Sequence, residues 1–528
     1  MLKKQIFKNS FLNADAAENL PHTSTNLAQI NLLIVIEGFL SPTGRNGFEN
    51  VVNALLEKSV MPPVNVHFAV FGTSEDTPTS LTEDDGATEQ TVRFRNFRFN
   101  SEVNGKQIIN RYDLIWCFGA NPFGGDDYNN PNKNKTDNDL IKNSPSSSSK
   151  EEIRAISEWM DSGGGLLAAG DHGFIGSAMN WNIPRSGSMR AWLRSDDLNH
   201  SVTDMSGEHR YDSNRPSLAS NIIRTNNQGD SVPQEIHWID FGGQPHPILS
   251  YKKNMVVDVF PDHAHEGRVL INVNLGNVCW HDENKQEFPT INGIQPTPDI
   301  IAFGRVLGKG YMYPDKGVPI AQSFPLISVY DGHMVSIGRV VVDSTWHHWM
   351  DVNISNLTGD DKEKITSLAT NTAIWMLGQN KQRDVLMHWL LDYTFSIDNF
   401  EEIISGGEPL SIGKFAMNKL VEAINAGTLG SVLDSVVANT NLNANVSGSD
   451  IANAIKSKFH ALLVGCVVSE LALVRDLVLS PSNKSISAMQ SLPENWVSEA
   501  FGLGVERATS LMMDEVEKEI SFLQGLKA

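Results

Sequence analysis

The chain has 528 residues and a mass of 58.2 kDa, more than one hydrophobic core usually organises, so we expect a large domain and a smaller one. Its formal charge of −20 argues against nucleic acid and anionic membranes as partners. The three scattered cysteines, Cys117, Cys279 and Cys466, make no disulfide framework and predict a reducing, cytoplasmic compartment. No apolar run reaches the ~20 residues that a membrane span needs, which predicts a soluble protein.

The first two thirds of the chain show the alternation of predicted strands and helices that is typical of an α/β domain. Residues 1–27 are polar and predict a flexible arm. Short apolar runs rich in β-branched residues then alternate with amphipathic segments, which predicts a mainly parallel, flavodoxin-like sheet flanked by helices over residues 28–378. Residues 126–149 are rich in Asn, Lys and Ser and predict a flexible surface insertion. Ser149 and Glu152 follow it with the spacing of a helix capping box.

Residues 163–173 carry the strongest functional signal, because three glycines, a short apolar run and polar residues between glycines predict a strand that ends in a tight turn. Ligands of open α/β sheets bind beyond the carboxyl ends of the strands. Asp171 and His172 stand there, where each is a candidate base or metal ligand. The structural alternative is that Asp171 caps a helix beginning near Phe174 and that His172 is a buried, hydrogen-bonded imidazole.

The section from about residue 180 to 331 is irregular, and we expect loops and extra strands built over the strand carboxyl ends. Arg185 and Arg190 are candidate ligands for an anionic group of a substrate, with surface ion pairing as the alternative. His263 and His265 point to one face if their segment is extended, and Glu266 is a supporting carboxylate. This trio is a candidate divalent-metal site, and a solvated loop is the alternative.

Residues 335–343 predict a further strand, and an aromatic and histidine cluster follows it. His347 and His348 are candidate catalytic residues. Trp346 and Trp349 stand on either side of them in the sequence, and we expect both indole rings to line a substrate pocket. Because neighbouring side chains of an extended segment point in opposite directions, one histidine is expected to face the strand ends and the other the interior.

Residues 380–528 lose the short apolar strands and contain helical segments separated by turns rich in Gly, Ser and Asn. The pattern predicts a C-terminal all-helical domain, which we expect to contact a protein partner or to mediate self-association.

Three motifs, in their shared order, resemble the class I glutamine amidotransferase-like superfamily, closest to its trehalose-utilisation-like branch. They are Gly163-Gly164-Gly165 before the tight turn that carries Asp171 and His172, which we call the elbow, His246-Pro247-Ile248 in mid-domain, and Gly338-Arg339-Val340 leading through a strand to His347. The resemblance covers residues 28–378 and leaves the helical region unexplained. Glutaminase members of the superfamily carry a Cys on the elbow, and this chain has none, so the resemblance implies an enzyme that is not a thiol-dependent glutaminase.

These observations predict a hydrolase-like enzyme that acts on a small polar or sugar-like substrate without a Cys nucleophile, with or without a divalent metal. The three histidine clusters are expected to converge on one pocket at the carboxyl ends of the strands. The alternative is a non-catalytic ligand-binding or scaffold protein, built on a degenerate amidotransferase-like domain, whose helical domain binds a partner.

Overall fold

The structure is a computed structural model that describes residues 29–57, 62–72, 81–121, 148–171, 175–192, 234–261, 267–306, 321–355, 357–396, 407–438, 450–479 and 496–525. The chain divides into two compact units, one of which spans Ile30–Gly378 while the other includes Gln379–Ala528. We call them the α/β unit and the helical unit.

The α/β unit contains eighteen described strands. In chain order they are β1 (Ile30–Ile36), β2 (Val64–Phe71), β3 (Thr82–Glu83), β4 (Val92–Phe97), β5 (Glu102–Val103), β6 (Lys106–Gln107), β7 (Leu114–Phe118), β8 (Gly165–Ala169), β9 (Gln234–Glu235), β10 (His237–Trp238), β11 (Ser250–Tyr251), β12 (Met255–Val256), β13 (Val259–Phe260), β14 (Val278–Cys279), β15 (Asp282–Gln286), β16 (Asp299–Val306), β17 (Gln322–Tyr330) and β18 (Val340–Asp343).

Ten of these strands form one sheet in the order β10-β16-β17-β18-β8-β7-β1-β2-β4-β3. The six from β18 to β4 run parallel, while β17, β16 and β10 at one edge and β3 at the other are antiparallel. The expectation of a mainly parallel α/β sheet is therefore confirmed. Strands β7 and β8 are buried at every residue, which explains why central parallel strands show as continuous apolar runs in the sequence.

The described α-helices fall into two groups. Those of the α/β unit are α1 (Glu49–Leu56), α2 (Lys150–Asp161), α3 (Ser177–Asn180), α4 (Ser186–Met189), α5 (Asp351–Ile354) and α6 (Gly359–Met376). Those of the helical unit are α7 (Gln379–Ser396), α8 (Pro409–Ala423), α9 (Ala426–Ala438), α10 (Asp450–Leu479) and α11 (Trp496–Gly525). The expected helical C-terminal region is confirmed. Within the described residues, no helix is long and apolar enough to cross a membrane.

Helix α2 begins with the expected capping box. The Ser149 hydroxyl accepts from the Glu152 amide at 3.3 Å, and the Glu152 carboxylate accepts from the Ser149 amide at 2.7 Å. Both reciprocal bonds satisfy amide groups that a helix start leaves without partners, so the local sequence alone sets where α2 begins.

The three sequence motifs meet at the amino ends of β8 and β18. The Gly338 amide donates to the Met160 carbonyl at 2.7 Å, and a Cβ atom at Gly338 would collide with the Gly164 carbonyl. Trp375 of α6 lies under the Arg339 guanidinium at 4.5 Å and against the His246 ring at 5.0 Å. These motifs therefore pack the end of the sheet that lies opposite the elbow.

One expectation about the middle of the chain needs correction. Residues 335–343 are not one strand, since a 3-10 turn occupies Gly332–Val335 and β18 begins only at Val340. The described part of the section up to Asp331 supplies β10, β16 and β17, which extend the sheet beyond β18 by antiparallel pairing.

The N-terminus of α1 is capped from a point far away in the sequence. Asp351 accepts from the Glu49 amide at 2.7 Å and from the Asn50 amide at 2.8 Å, and it also accepts from the Asn50 side chain. A carboxylate at this position satisfies two amides of the first turn and complements the helix dipole.

Replacing Asp351 by Ala is expected to lower the free energy of unfolding by about 1–2 kcal/mol, the usual value of a lost N-terminal cap. Urea denaturation followed by tryptophan fluorescence measures the change. The control is Asp85→Ala, which removes an exposed carboxylate from an ion pair with Arg93 and is expected to change stability by less than about 0.5 kcal/mol. Equal effects of the two substitutions would show that the cap contributes nothing.

Candidate active site

The carboxyl ends of four neighbouring parallel strands form one edge of the sheet, in the order β18, β8, β7 and β1. We call this edge the crest and define it by Glu37 after β1, residues 119–121 after β7, residues 170–171 after β8 and residues 344–348 after β18. The crest is where a parallel sheet is expected to carry its chemistry, because the turns after these strands meet there.

Asp171 and His347 are brought together at the crest. Asp171 is the second residue after β8, and His347 lies in the 3-10 turn Trp346–His348 after β18. The His347 Nε2 atom is 3.8 Å from Asp171 Oδ2, and both side chains are almost completely buried. Their proximity follows from the parallel pairing of β8 with β18, since paired parallel strands end at the same edge.

Asn353 of α5 fixes the orientation of the His347 ring. Its side-chain oxygen lies 2.9 Å from His347 Nδ1, a hydrogen bond that forms in the tautomer with the proton on Nδ1. In the neutral ring, Nε2 then carries the lone pair and faces Asp171. Protonation of Nε2 converts the contact into an imidazolium–carboxylate pair. The arrangement can therefore accept a proton and stabilise the positive charge that results.

Hydrogen bonds join the two turns that carry Asp171 and His347. The Thr345 hydroxyl donates to Asp171 Oδ1 at 3.2 Å, and the Trp346 amide donates to the Gly170 carbonyl at 2.7 Å. Arg190 is fully buried and donates to the carbonyls of both Asp171 and Ser344. Its guanidinium thus fixes the position of the two turns relative to each other.

His348 points away from Asp171 and into the core. Its Nδ1 atom lies 2.8 Å from Asp343 Oδ1, and neither side chain is exposed to solvent. The second oxygen of Asp343 accepts from Trp349 Nε1 at 2.8 Å, and the Phe260 ring packs on His348 at 4.7 Å. One histidine therefore faces the crest and the other the interior, although the segment is a 3-10 turn and not the extended chain from which that divergence was expected.

The two tryptophans also take different positions. Trp346 donates to the Gly119 carbonyl at 2.9 Å and stacks on His347 with 4.2 Å between ring centroids. Phe39, which is more than half exposed, packs against the Trp346 ring at 5.8 Å. Trp349 is buried and contacts Trp116 of β7. Trp346 therefore packs among the crest residues, whereas Trp349 packs in the sheet core.

Arg185, the other arginine singled out from the sequence, lies beside α4 and is 1% exposed. It donates to Asp161 at 3.0 Å and to the Glu287 carbonyl at 3.4 Å. Like Arg190, it has its guanidinium engaged by protein oxygens, here in an ion pair with the partly exposed Asp161.

Glu37 is a crest residue that the sequence analysis missed. It directly follows β1 and is 2% exposed. Its Oε2 atom accepts from the amides of Ala120 and Asn121 at 3.1 and 3.0 Å, while Oε1 has no hydrogen-bond partner among the described residues. Burial raises the pKa of Glu37 to about 7, against the lowering effect of those hydrogen bonds. The signal that would have found it is the one that found Asp171, a carboxylate at the end of a buried strand.

The raised pKa of Glu37 makes stability depend on pH. The folded state holds the proton more tightly than the unfolded state, so the stabilisation is complete below about pH 4.5 and is lost as the pH rises through about 7. Relative to Glu37→Gln, which cannot ionise, the wild type is expected to lose about 3 kcal/mol of unfolding free energy across this range. Urea denaturation of both proteins at about pH 5 and pH 8 measures it. A difference that does not change with pH would contradict the assignment.

Four predicted site residues lie outside the described residues: His172, His263, His265 and Glu266. The described residues on either side of the last three are near the crest, since Phe260 packs on His348 and a Cβ atom at Gly267 would collide with the Arg190 guanidinium. In the part of the chain that the structure describes, no group of three or more His, Cys, Asp or Glu residues is placed to hold a metal ion.

Sequence comparison assigns no relative. The chain matches no protein-family model and no curated protein. What can be inferred about the crest therefore comes from its geometry.

Proposed function

We propose that this protein is a hydrolase-like enzyme that acts on a small polar or sugar-like molecule without a Cys nucleophile. The observation that carries the proposal is the buried Asp171–His347 pair, held by Asn353 and Thr345 at the carboxyl ends of two paired parallel strands. Such a pair fits a general base that Asn353 orients and that has a carboxylate beside its Nε2 atom to stabilise the imidazolium. The class I glutamine amidotransferase-like resemblance, with its flavodoxin-like sheet and an insertion over the strand ends, is part of the same proposal.

In the proposed reaction His347 Nε2 removes a proton from water as the water oxygen bonds to the electrophilic carbon of the substrate. Asp171 stabilises the imidazolium that forms. The bond to the leaving group breaks with its electron pair, and Glu37 in its protonated form supplies the proton that the leaving atom needs. With a pKa of about 7, Glu37 holds such a proton in part of the molecules at neutral pH. His347 then loses its proton to solvent and Glu37 regains one.

The strand order supports this division of roles. Strands β18 and β1, which precede the base and the acid, are separated by β8 and β7, which places the ends of their backbones about 14 Å apart. This spacing leaves room for the two side chains, a substrate bond and a water molecule, as in hydrolases that use two separated carboxyl groups.

The cysteines support a thiol-independent reaction. Cys117, Cys279 and Cys466 are all buried, and burial raises the pKa of each thiol, to about 11 for Cys279 and Cys466. Thiols in this state are poor nucleophiles. The triple Cys→Ala variant is expected to retain at least about half of the wild-type activity, measured under the same conditions after a check of its melting temperature. A variant that folds but is inactive would contradict this part of the proposal.

The experiment that tests the function is a hydrolysis screen of the full chain with p-nitrophenyl esters, p-nitrophenyl glycosides and simple amides. Hydrolysis of at least one class, lost in Asp171→Asn and retained in the triple cysteine variant, supports the proposal. Ligand binding without hydrolysis in every class overturns it and favours the non-catalytic alternative. Parallel assays with EDTA, together with metal analysis of the protein, separate the metal-assisted form of the reaction from the metal-free form.

Two further parts of the proposal concern the setting of the enzyme. Free, buried thiols suit a reducing, cytoplasmic compartment. The helical unit is proposed to bind a protein partner or a second copy of the chain, and exposed apolar side chains such as Phe415, Ile455 and Met513 support this role.

A further inference from the structure

A cavity of about 480 Å³ lies in the α/β unit, and neither Glu37, Asp171 nor His347 is among its lining residues. Its size falls within the ~300–1,000 Å³ typical of small-molecule sites. The proposed hydrolytic site makes no use of it.

Indole rings form the apolar part of the cavity wall. Trp192 is fully buried beneath it, while Trp280 remains 38% exposed at its rim. Trp181 and Trp280 contact each other with 6.1 Å between ring centroids, and their planes are inclined by 56°. Exposing a tryptophan to water is unfavourable, and an aromatic ring held at the mouth of a cavity is typical of a surface that receives a ligand.

Amide, hydroxyl and carboxyl groups form the polar part of the wall. Asn182 is 6% exposed, and its side-chain oxygen is buried without a hydrogen-bond partner in the described residues. A buried carbonyl of this kind costs free energy unless a donor reaches it, so it points to a ligand that carries hydrogen-bond donors. The Asn277 amide donates to the Ser188 hydroxyl at 3.0 Å, and that hydroxyl donates to Glu287 at 2.6 Å.

The cavity has little charge with which to hold an ion. No lysine or arginine is among its lining residues. Its carboxyl group, Glu287, already accepts from the Arg185 amide and from Ser188. Burial raises the pKa of Glu287, which favours its neutral form. The Lys150 ammonium lies over the Trp280 ring at 5.5 Å, but the lining residues themselves offer no counter-charge to a strongly anionic or cationic ligand.

We propose that this cavity binds a neutral, polyhydroxylated ligand, a mono- or oligosaccharide. The C–H faces of a pyranose ring pack on indole rings, and its hydroxyl groups can donate to the Asn182 oxygen, which has no hydrogen-bond partner among the described residues. The inclination of Trp181 against Trp280 favours this class over flat heteroaromatic rings, because a flat ring is best held between parallel faces.

The test is a titration of the full chain with neutral mono- to trisaccharides of glucose, galactose, mannose and N-acetylglucosamine, measured by calorimetry and by saturation-transfer NMR. Adenosine serves as the flat heteroaromatic probe. We expect at least one saccharide to bind with a Kd of about 1 mM or tighter. Trp280→Ala is expected to weaken this binding about tenfold or more. The matched control is Phe241→Ala, which removes an aromatic side chain of similar exposure that does not line the cavity.

Asn182→Leu distinguishes a ligand contact from a structural role. Because the Asn182 oxygen has no protein partner within the described chain, the near-isosteric leucine is expected to keep or raise the melting temperature while saccharide binding weakens. Asp171→Asn is expected to leave saccharide binding unchanged, which separates this inference from the proposed function. Absence of binding by every saccharide, preference for adenosine, or unchanged affinity in Trp280→Ala would each overturn the inference.

Discussion

Replacement of Asp171 by Asn, or of His347 by Gln, is expected to lower kcat/KM about 10²–10⁴-fold for any substrate that the hydrolysis screen identifies. In Asp171→Asn the imidazolium loses the carboxylate that lies 3.8 Å away. In His347→Gln the nitrogen that takes up the proton is absent. The melting temperature is expected to change by no more than a few degrees, because asparagine is isosteric with aspartate and because Asp171 keeps its hydrogen bond from Thr345 when His347 is replaced. Steady-state kinetics and thermal unfolding measure the two effects separately.

His348 provides the contrasting variant. His348→Gln removes the imidazole that lies 2.8 Å from the Asp343 carboxylate, and the loss of a buried hydrogen bond to a carboxylate costs about 1.5–3 kcal/mol. Stability, and not only turnover, is therefore expected to fall. The exposed His237→Gln is the matched control and should change neither quantity. Full activity in His347→Gln, or loss of fold in Asp171→Asn, would contradict the assignment of the crest as an active site.

Gly465→Ala is expected to reduce the stability of the helical unit by about 3 kcal/mol. Helices α8 and α10 approach each other closely, and a Cβ atom at Gly465 would collide with the Pro409 carbonyl. The same holds for Gly413, whose Cβ would collide with the Ala461 carbonyl. Because the obstacle in both cases is backbone, it cannot rotate away as a flexible side chain would. Thermal unfolding followed by far-UV circular dichroism measures the loss.

Gly502→Ala is the matched control for Gly465→Ala, since it lies in α11 with nothing near the position of its Cβ. There the substitution is expected to stabilise by about 0.5–1 kcal/mol, because alanine loses less backbone entropy on folding. If both substitutions stabilise, the close approach of α8 to α10 is not a feature of the folded protein.

The central strands and the capped helix α2 were predictable because their signals are local. Buried parallel strands such as β7 and β8 consist of unbroken apolar runs, and Ser149 with Glu152 marks the start of a helix by spacing alone. The antiparallel extension of the sheet was not predictable in this way. Whether β16 and β17 pair with β18 depends on contacts between distant strands, and their own sequences do not specify an edge of the sheet.

At the crest, the rule that ligands bind beyond the strand ends predicted that Asp171 and His347 would lie together. The same rule, applied to β1, would have identified Glu37. The hydrogen bonds that hold its carboxylate could not be predicted, because they come from two amides that lie more than 80 residues further along the chain. Arg190 could not be assigned from sequence because its acceptors are backbone carbonyls, which every residue carries.

The cap on α1 also bears on the order in which the chain folds. Asp351 closes a contact with Glu49 across 302 residues, so the second structural element of the protein cannot be completed until most of the α/β unit has been synthesised. At about 5–20 residues per second, this delay is roughly 15–60 s on the ribosome. During that interval β18 has not yet been synthesised. Helix α1 therefore lacks its cap, and the sheet around β1, which lies between β2 and β7, is incomplete. Contacts of such high sequence separation slow folding, and during this interval the apolar residues of the incomplete nascent N-terminal part are open to aggregation.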